Sequence, residues 1–161
     1  RDYYASRGLG DVYKRQAIGC AQLQKLPGFV EARRRNFAYL SERLQCVREY
    51  FILPEVCENS EPSWFGFMIT CRESVDKNKV VRYLEENGIQ TRMLFAGNLT
   101  KQPCFDEMRK TGVGYRIVGE LTNTDHIMEN TFWIGVYPGM TTEMLNYMVE
   151  KITETVSMPC D

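Results

Sequence analysis

The segment TRMLFAGNLTKQP sets Arg92, Asn98 and Gln102 within one short span, interleaved with Leu94, Phe95 and Leu99. A guanidinium offers a fixed fork of donors for phosphate or sugar oxygens, and a carboxamide can both donate and accept against hydroxyls. Polar groups of this kind among apolar ones are what a pocket for a polar ligand needs, and loops often carry them. The same composition suits an ordinary surface loop, and the residues alone do not decide between the two. The single histidine, His126, follows Asp125. It could serve as a general base, but adjacent residues of a helix point apart, and a lone histidine is more often structural. One histidine is too few to assemble a nucleophilic triad with any security. The cysteines (Cys20, Cys46, Cys57, Cys71, Cys104 and Cys160) include no CxxC pair. They read as scattered small core residues in a reducing compartment rather than as a metal or disulfide framework.

These groups must be positioned by a single domain, since 161 residues suffice for one sizeable core. Net charge is −1, so no global field draws the chain to nucleic acid or an anionic membrane. No apolar run reaches spanning length and no charged-then-apolar leader is present, which gives the expectation of a cytoplasmic protein without membrane or nucleic-acid partners.

Along the chain, AIGCAQLQKL reads as a short helix broken at Pro27-Gly28, with the proline opening the next helix. In that second helix Phe29, Ala32, Phe37, Leu40 and Leu44 share an apolar face, and Arg33, Arg34 and Arg35 mostly face water. SWFGFMITC, IQTRMLF and TFWIGVYPG read as strands. Val80, Val81 and Leu84 mark a helix closed by Asn87-Gly88. Asn123 or Thr124 can cap a short helix ending at Asn130, and Thr141 can cap a last helix with the stripe Met144, Leu145, Met148, Val149 and Ile152. Strands alternating with helices predict a small α/β sandwich, with a sheet of about three strands covered by helices.

Several stretches carry a further resemblance. AIGCAQLQKLPGFVEARRRNF, PSWFGFMIT, EENGIQTRMLFAGNLTKQPCF and GELTNTDHIMENTFWIGVYPGMT resemble the C-terminal portion of the DegT/DnrJ/EryC1/StrS sugar-nucleotide aminotransferases. FAGN followed by QP, and TNTD continuing to NTFWIGVYPG, are most similar to the branch of CDP-4-keto-6-deoxyglucose 3-dehydrases in lipopolysaccharide biosynthesis. The resemblance runs from about Ala17 to Val156. It implies the C-terminal small domain of a fold-type-I, aspartate-aminotransferase-like enzyme that uses pyridoxamine phosphate. In such an enzyme the cofactor amine condenses with the sugar C4 ketone, a base removes a proton from the cofactor, and the C3 hydroxyl departs. A histidine replaces the Schiff-base lysine, and an iron–sulfur cluster takes electrons from a partner reductase. Family members are typically homodimers with shared active sites.

The resemblance also implies substrate-binding roles. Phe65, in SWFGF, matches a position near the cofactor where a ring could shield the reacting centre, although a core aromatic would look the same. Arg92, Asn98 and Gln102 flank a loop that faces the large domain, and His126 falls at a position that varies and sometimes holds arginine. In the family the large domain, the catalytic histidine and the cluster cysteines all lie upstream of Ala17, and the six cysteines here do not match the cluster's closely spaced set. The expectation is a truncated part of the enzyme, inactive alone, that binds no cofactor. A lysine-dependent aminotransferase and a freestanding binding module built on the FAGN loop stay open as alternatives.

SRGLGDVYKRQ, Ser6 to Gln16, matches the in-frame translation of a transposase adapter used in sequencing libraries. Residues 1–16 are therefore expected to be a fused artefact, extended and packed against nothing. The GLG within them follows no strand and is no phosphate loop.

Overall fold

The computed structural model describes residues 9–157, with side chains from residue 12 onward. Expectations that concern residues 1–8 and Cys160 lie outside the described residues. The elements are helix α1 (Leu9–Arg43), strands β1 (Phe51–Ile52) and β2 (Gly66–Cys71), helix α2 (Lys77–Glu86) and strand β3 (Thr91–Met93). Short helices α3 (Asp106–Thr111) and α4 (Thr122–Asn130), strand β4 (Thr131–Gly135) and helix α5 (Thr142–Ser157) follow.

The sheet has four strands in the order β1-β2-β4-β3, every neighbouring pair antiparallel. The expected three are β2, β3 and β4. The fourth, β1, is a two-residue edge strand that pairs Phe51 with Cys71, too short to leave a periodic signal in the sequence. Alternation along β2 and β4 turns Phe67, Ile69, Cys71, Phe132 and Ile134 to one face, all fully buried. That face meets Phe37 and Leu40 of α1, Val80 and Leu84 of α2, and Leu145, Met148 and Ile152 of α5 in one apolar cluster. Burial pushes the Cys71 thiol up to about 12, with the Lys77 charge opposing the shift, so this cysteine is an inert core residue.

Capping fixes the helices that cover the sheet. Asp76 accepts from the Asn78 and Lys79 amides to start α2, and Gly88 follows its end at φ +74. Thr141 Oγ1 accepts from the Met144 amide to start α5, as the sequence predicts. Tyr83 of α2 donates to the Glu154 carboxylate on α5, which also pairs with Lys151 at 2.7 Å. Asn36, 2% exposed, donates from Nδ2 to the Tyr137 carbonyl at 2.9 Å and ties α1 to the end of β4.

Several expectations about the first helix are corrected. Pro27 does not divide it: α1 runs unbroken for 35 residues with Pro27 inside. The proline forfeits the hydrogen bond to the Leu23 carbonyl, but Leu23 is 65% exposed and water can satisfy it. Residues 9–16 are likewise helical rather than extended, since nothing in that stretch stops a helix. The side chains described there are nonetheless exposed, Val12 at 53% and Tyr13 at 77%, and add nothing to the core. Phe29, placed by its spacing on the buried stripe, is 40% exposed; the packed part of α1 begins beyond it. Of the arginine triplet, Arg34 does more than face water: it pairs with Glu61 at 3.3 Å and donates to that residue's carbonyl. At α4, neither Asn123 nor Thr124 is the cap. The helix starts at Thr122 after Leu121, without a side-chain cap.

Candidate functional site

The helices cover one face of the sheet, and the outward row across its middle is Met68, Trp133 and Arg92, in register on β2, β4 and β3. Trp133 swings over Gly66. A Cβ built at Gly66 would sit 2.6 Å from Trp133 Cε3, so only glycine fits beneath the indole. Phe65, 58% exposed, meets Trp133 edge to face at 5.3 Å between ring centres. The Arg92 side chain is exposed and makes one hydrogen bond, to the Thr91 carbonyl at 3.3 Å, and no ion pair among the described residues. Beside it lies a cleft of about 520 Å³ bounded by Arg92, Trp133, Gly135, Tyr137, Met144 and Tyr147, among others.

The second feature is the loop after β3. Phe95 holds φ +47 and is 84% exposed, a left-handed backbone that a bulky residue adopts only under constraint. The constraint is visible. Asn98 is 3% exposed; its Nδ2 donates to Asp125 Oδ1 at 2.7 Å and its Oδ1 accepts from the Thr100 amide and hydroxyl. Lys101 Nζ pairs with the other Asp125 oxygen at 2.9 Å. Gln102 Nε2 donates to the Ala96 carbonyl at 2.6 Å and closes the loop on itself. Gly97, at φ +62, lies against Met128 of α4, where a Cβ would come within 2.3 Å of Cγ. A shallow hollow of about 370 Å³ between this loop and Thr124 and Ile127 of α4 is mostly apolar in its lining.

The residues singled out from the sequence thus fall into separate groups. Phe65 and Arg92 share the outer sheet face on either side of Trp133. Asn98 and Gln102 are committed to the loop's own architecture, and Asn98 is too buried and too fully bonded to meet a ligand as the loop stands. His126 is exposed on α4 and its Nδ1 lies 3.3 Å from the Asn130 amide; it lines neither hollow. Sequence reasoning passed over two residues. Alternation in TFWIG puts Trp133 opposite Phe132 and Ile134, a legible signal. Asp125 carries no such signal, because its role depends on Asn98 and Lys101 arriving from a distant segment. The bonds from Asn98 and Lys101 hold the Asp125 carboxyl below the ordinary carboxylate range.

A group whose folded pKa is depressed stabilises above its unfolded value and loses that contribution as pH falls through the folded one. The loop is therefore expected to open below the ordinary Asp range. Asp125→Ala, which strands the buried Asn98 donor, should open it at neutral pH. Asp125→Asn keeps an acceptor for Asn98 and should retain most of the closure. Hydrogen exchange at the Thr100 and Lys101 amides measures both, and equal protection in the two variants would refute the clamp.

Neither hollow is lined by lysine or histidine; the larger one carries Arg92 and the phenols of Tyr137 and Tyr147. Among the described residues no three His, Cys, Asp or Glu side chains converge as a metal site, and an iron–sulfur cluster does not fit them. No described helix is long and apolar enough to cross a membrane.

The two-layer α/β architecture with its antiparallel sheet is the small domain of the aspartate-aminotransferase-like fold. A sequence profile describing the DegT/DnrJ/EryC1/StrS aminotransferase family matches residues 14–153, and the chain belongs to that family. It is 54% identical over 140 residues to the lipopolysaccharide biosynthesis protein RfbH of Salmonella typhimurium, covering 86% of this chain and 31% of that protein. It is 43% identical over 143 residues to dTDP-4-dehydro-2,6-dideoxy-D-glucose 3-dehydratase of Saccharopolyspora spinosa, covering 88% and 30%. Among solved structures, a GDP-4-keto-6-deoxymannose-3-dehydratase (ColD) variant with bound GDP-perosamine superposes with a TM-score of 0.71 at 27% identity, over 84% of this chain and 34% of that one. The E. coli GDP-4-keto-6-deoxy-D-mannose-3-dehydratase with hydrated PLP gives 0.70 at 26%, with the same coverage. The chain spans about three tenths of the curated relatives it matches.

Proposed function

We propose that the chain is the C-terminal part of a pyridoxamine-phosphate-dependent dehydrase that removes the C3 hydroxyl of CDP-4-keto-6-deoxyglucose, on the route to a 3,6-dideoxysugar of O-antigen. The observation that carries this reading is the 54% identity over 140 residues to RfbH. Relatives named for dTDP- and GDP-linked 4-keto sugars are 3-dehydratases as well, which supports the reaction type independently of the nucleotide. When bound in the intact enzyme, the cofactor supplies an amine for the C4 ketone and a ring that accepts electrons. This chain contributes one wall of the site. Phe65 and Trp133 exclude water, and Arg92 holds an anionic or hydroxyl oxygen of the substrate.

The iron–sulfur cluster, the reductase partner, the homodimer and the cytoplasmic setting belong to the same proposal for the intact enzyme, as does the adapter origin of residues 1–16. The full-length product of the intact gene, supplied with pyridoxamine phosphate and a reductase, should deoxygenate CDP-4-keto-6-deoxyglucose at C3, while the 161-residue chain alone shows no turnover and no cofactor absorbance. Transamination in place of C3 loss, with a lysine at the upstream cofactor position, would replace this reading with the aminotransferase one. Stoichiometric pyridoxamine phosphate binding by the short chain would refute the division of labour.

A further inference from the structure

We propose that Phe95 is a specificity-determining residue. With the hollow between its loop and α4, it receives the C6 methyl of the hexose and selects a 6-deoxy sugar over its 6-hydroxy counterpart. The inference rests on the substrate reading above and adds to it the side chain that reads one carbon of the sugar. Phe95 is held at a double cost. Its backbone stands at φ +47, and its ring is 84% exposed, so a large apolar surface stays in water. The bonds that impose this conformation do not involve the ring. The Phe95 amide donates to the Met93 carbonyl at 2.9 Å and the Gly97 amide to the Leu94 carbonyl at 3.3 Å. The Asn98 bond to Asp125 and the Gln102 bond to Ala96 then shut the loop. The loop therefore closes whichever side chain stands at position 95, and the fold gains little from a phenyl ring there. A bulky residue kept strained and exposed by its surroundings points to a functional contact.

The chemistry of the hollow selects the contact. Beside Phe95 its walls are Leu94, Leu99 and Ile127, with Leu99 59% and Ile127 41% exposed. Thr124 supplies the one side-chain hydroxyl, and no charged or carboxamide side chain lines the space. Such a surface suits an apolar group and penalises a polar one that loses its water there. A phosphate, a nucleobase or a cofactor ring brings charge or ring heteroatoms that this lining leaves unpaired. A 4-keto-6-deoxyhexose bears oxygen at every ring carbon, and its C6 methyl is the one group with no polar demand. The hollow, about 370 Å³, is wide enough for that edge of a hexose to lie against the ring. A hydroxyl at C6 would meet Thr124 as its single side-chain partner, and a mostly apolar pocket disfavours such an analogue by about a hundredfold at most.

The test compares two substrates in the full-length enzyme, supplied with pyridoxamine phosphate and a reductase. CDP-4-keto-6-deoxyglucose and CDP-4-ketoglucose differ only at C6, and loss of the C3 hydroxyl is followed for each. The wild type should favour the 6-deoxy substrate by about a hundredfold in kcat/KM. Phe95→Ala should lower that ratio about tenfold, chiefly by slowing the 6-deoxy substrate. Phe95→Leu keeps an apolar wall and should retain most of the discrimination. Hydrogen exchange at the Thr100 and Lys101 amides should match the wild type in both variants, because the ring takes no part in closing the loop. An unchanged ratio in Phe95→Ala overturns the proposal. If both rates then fall together, the ring serves instead as a contact for the upstream part of the enzyme. Lost amide protection in Phe95→Ala also overturns it, since the ring would then be a brace for the loop. A wild type that processes both substrates equally sinks the selectivity and leaves the dehydrase reading standing. If neither substrate loses its C3 hydroxyl, the dehydrase reading fails and this inference falls with it.

Discussion

Gly97→Val is expected to release the loop from Phe95 to Gln102 while the rest of the domain stays folded. Two costs combine at this position. A β-branched residue at φ +62 pays roughly 1–2 kcal/mol for left-handed backbone, and forcing a side chain into the space held by Met128 adds roughly 1–3 kcal/mol. A sum of roughly 2–5 kcal/mol rivals what holds a surface loop closed, but it need not unfold a core that packs without the loop. The loop gives way first. Hydrogen exchange should show lost protection across the Asn98 to Gln102 amides with β2 and β4 unchanged, and in the full-length enzyme activity should fall with the loop. Full retention of loop protection would mean that Met128 yields instead, and that the glycine is not what sets the loop.

Arg92→Ala in the full-length enzyme should lower kcat/KM by about 2–4 kcal/mol, or roughly 30- to 1,000-fold, if the guanidinium meets a charged substrate group. Thermal stability should hardly change, because the side chain is exposed and bonds only to the neighbouring carbonyl. Arg92→Lys keeps the charge but loses the fork, and should recover part of the loss. Unchanged turnover in Arg92→Ala would leave the outer face of the sheet without a role in substrate binding. Asn98→Ala is now expected to behave differently from Arg92→Ala. It removes a buried, fully bonded amide and should damage the loop as well as activity.

What the sequence allowed to be read follows the range of the interactions involved. The strands β2, β3 and β4, the α2 end at Asn87-Gly88 and the Thr141 cap are written in local patterns, and the structure bears them out. Strand β1 depends on a partner some twenty residues away and has no pattern of its own. Pro27 is a strong local signal that the long helix overrides, because its lost bond faces solvent. The grouping of Arg92 with Asn98 and Gln102 rested on closeness along the chain. The pleat then sent Arg92 outward, and α4 drew Asn98 inward to Asp125. Separations of that kind are set by tertiary contacts between distant segments, which spacing along one segment cannot report.

The outer half of α1 has a mechanical consequence. From Val12 to Phe29 every described side chain is exposed, so none of the described residues braces this part of the helix sideways, and Pro27 inside it weakens its ladder. Val12 stands fifteen residues from Pro27, about 22 Å at ~1.5 Å per residue. A bend of only ~10° at the proline would carry it sideways by ~4 Å. The helix is a lever with its fulcrum at Pro27, and the direction in which that end points is governed by the backbone angles of very few residues.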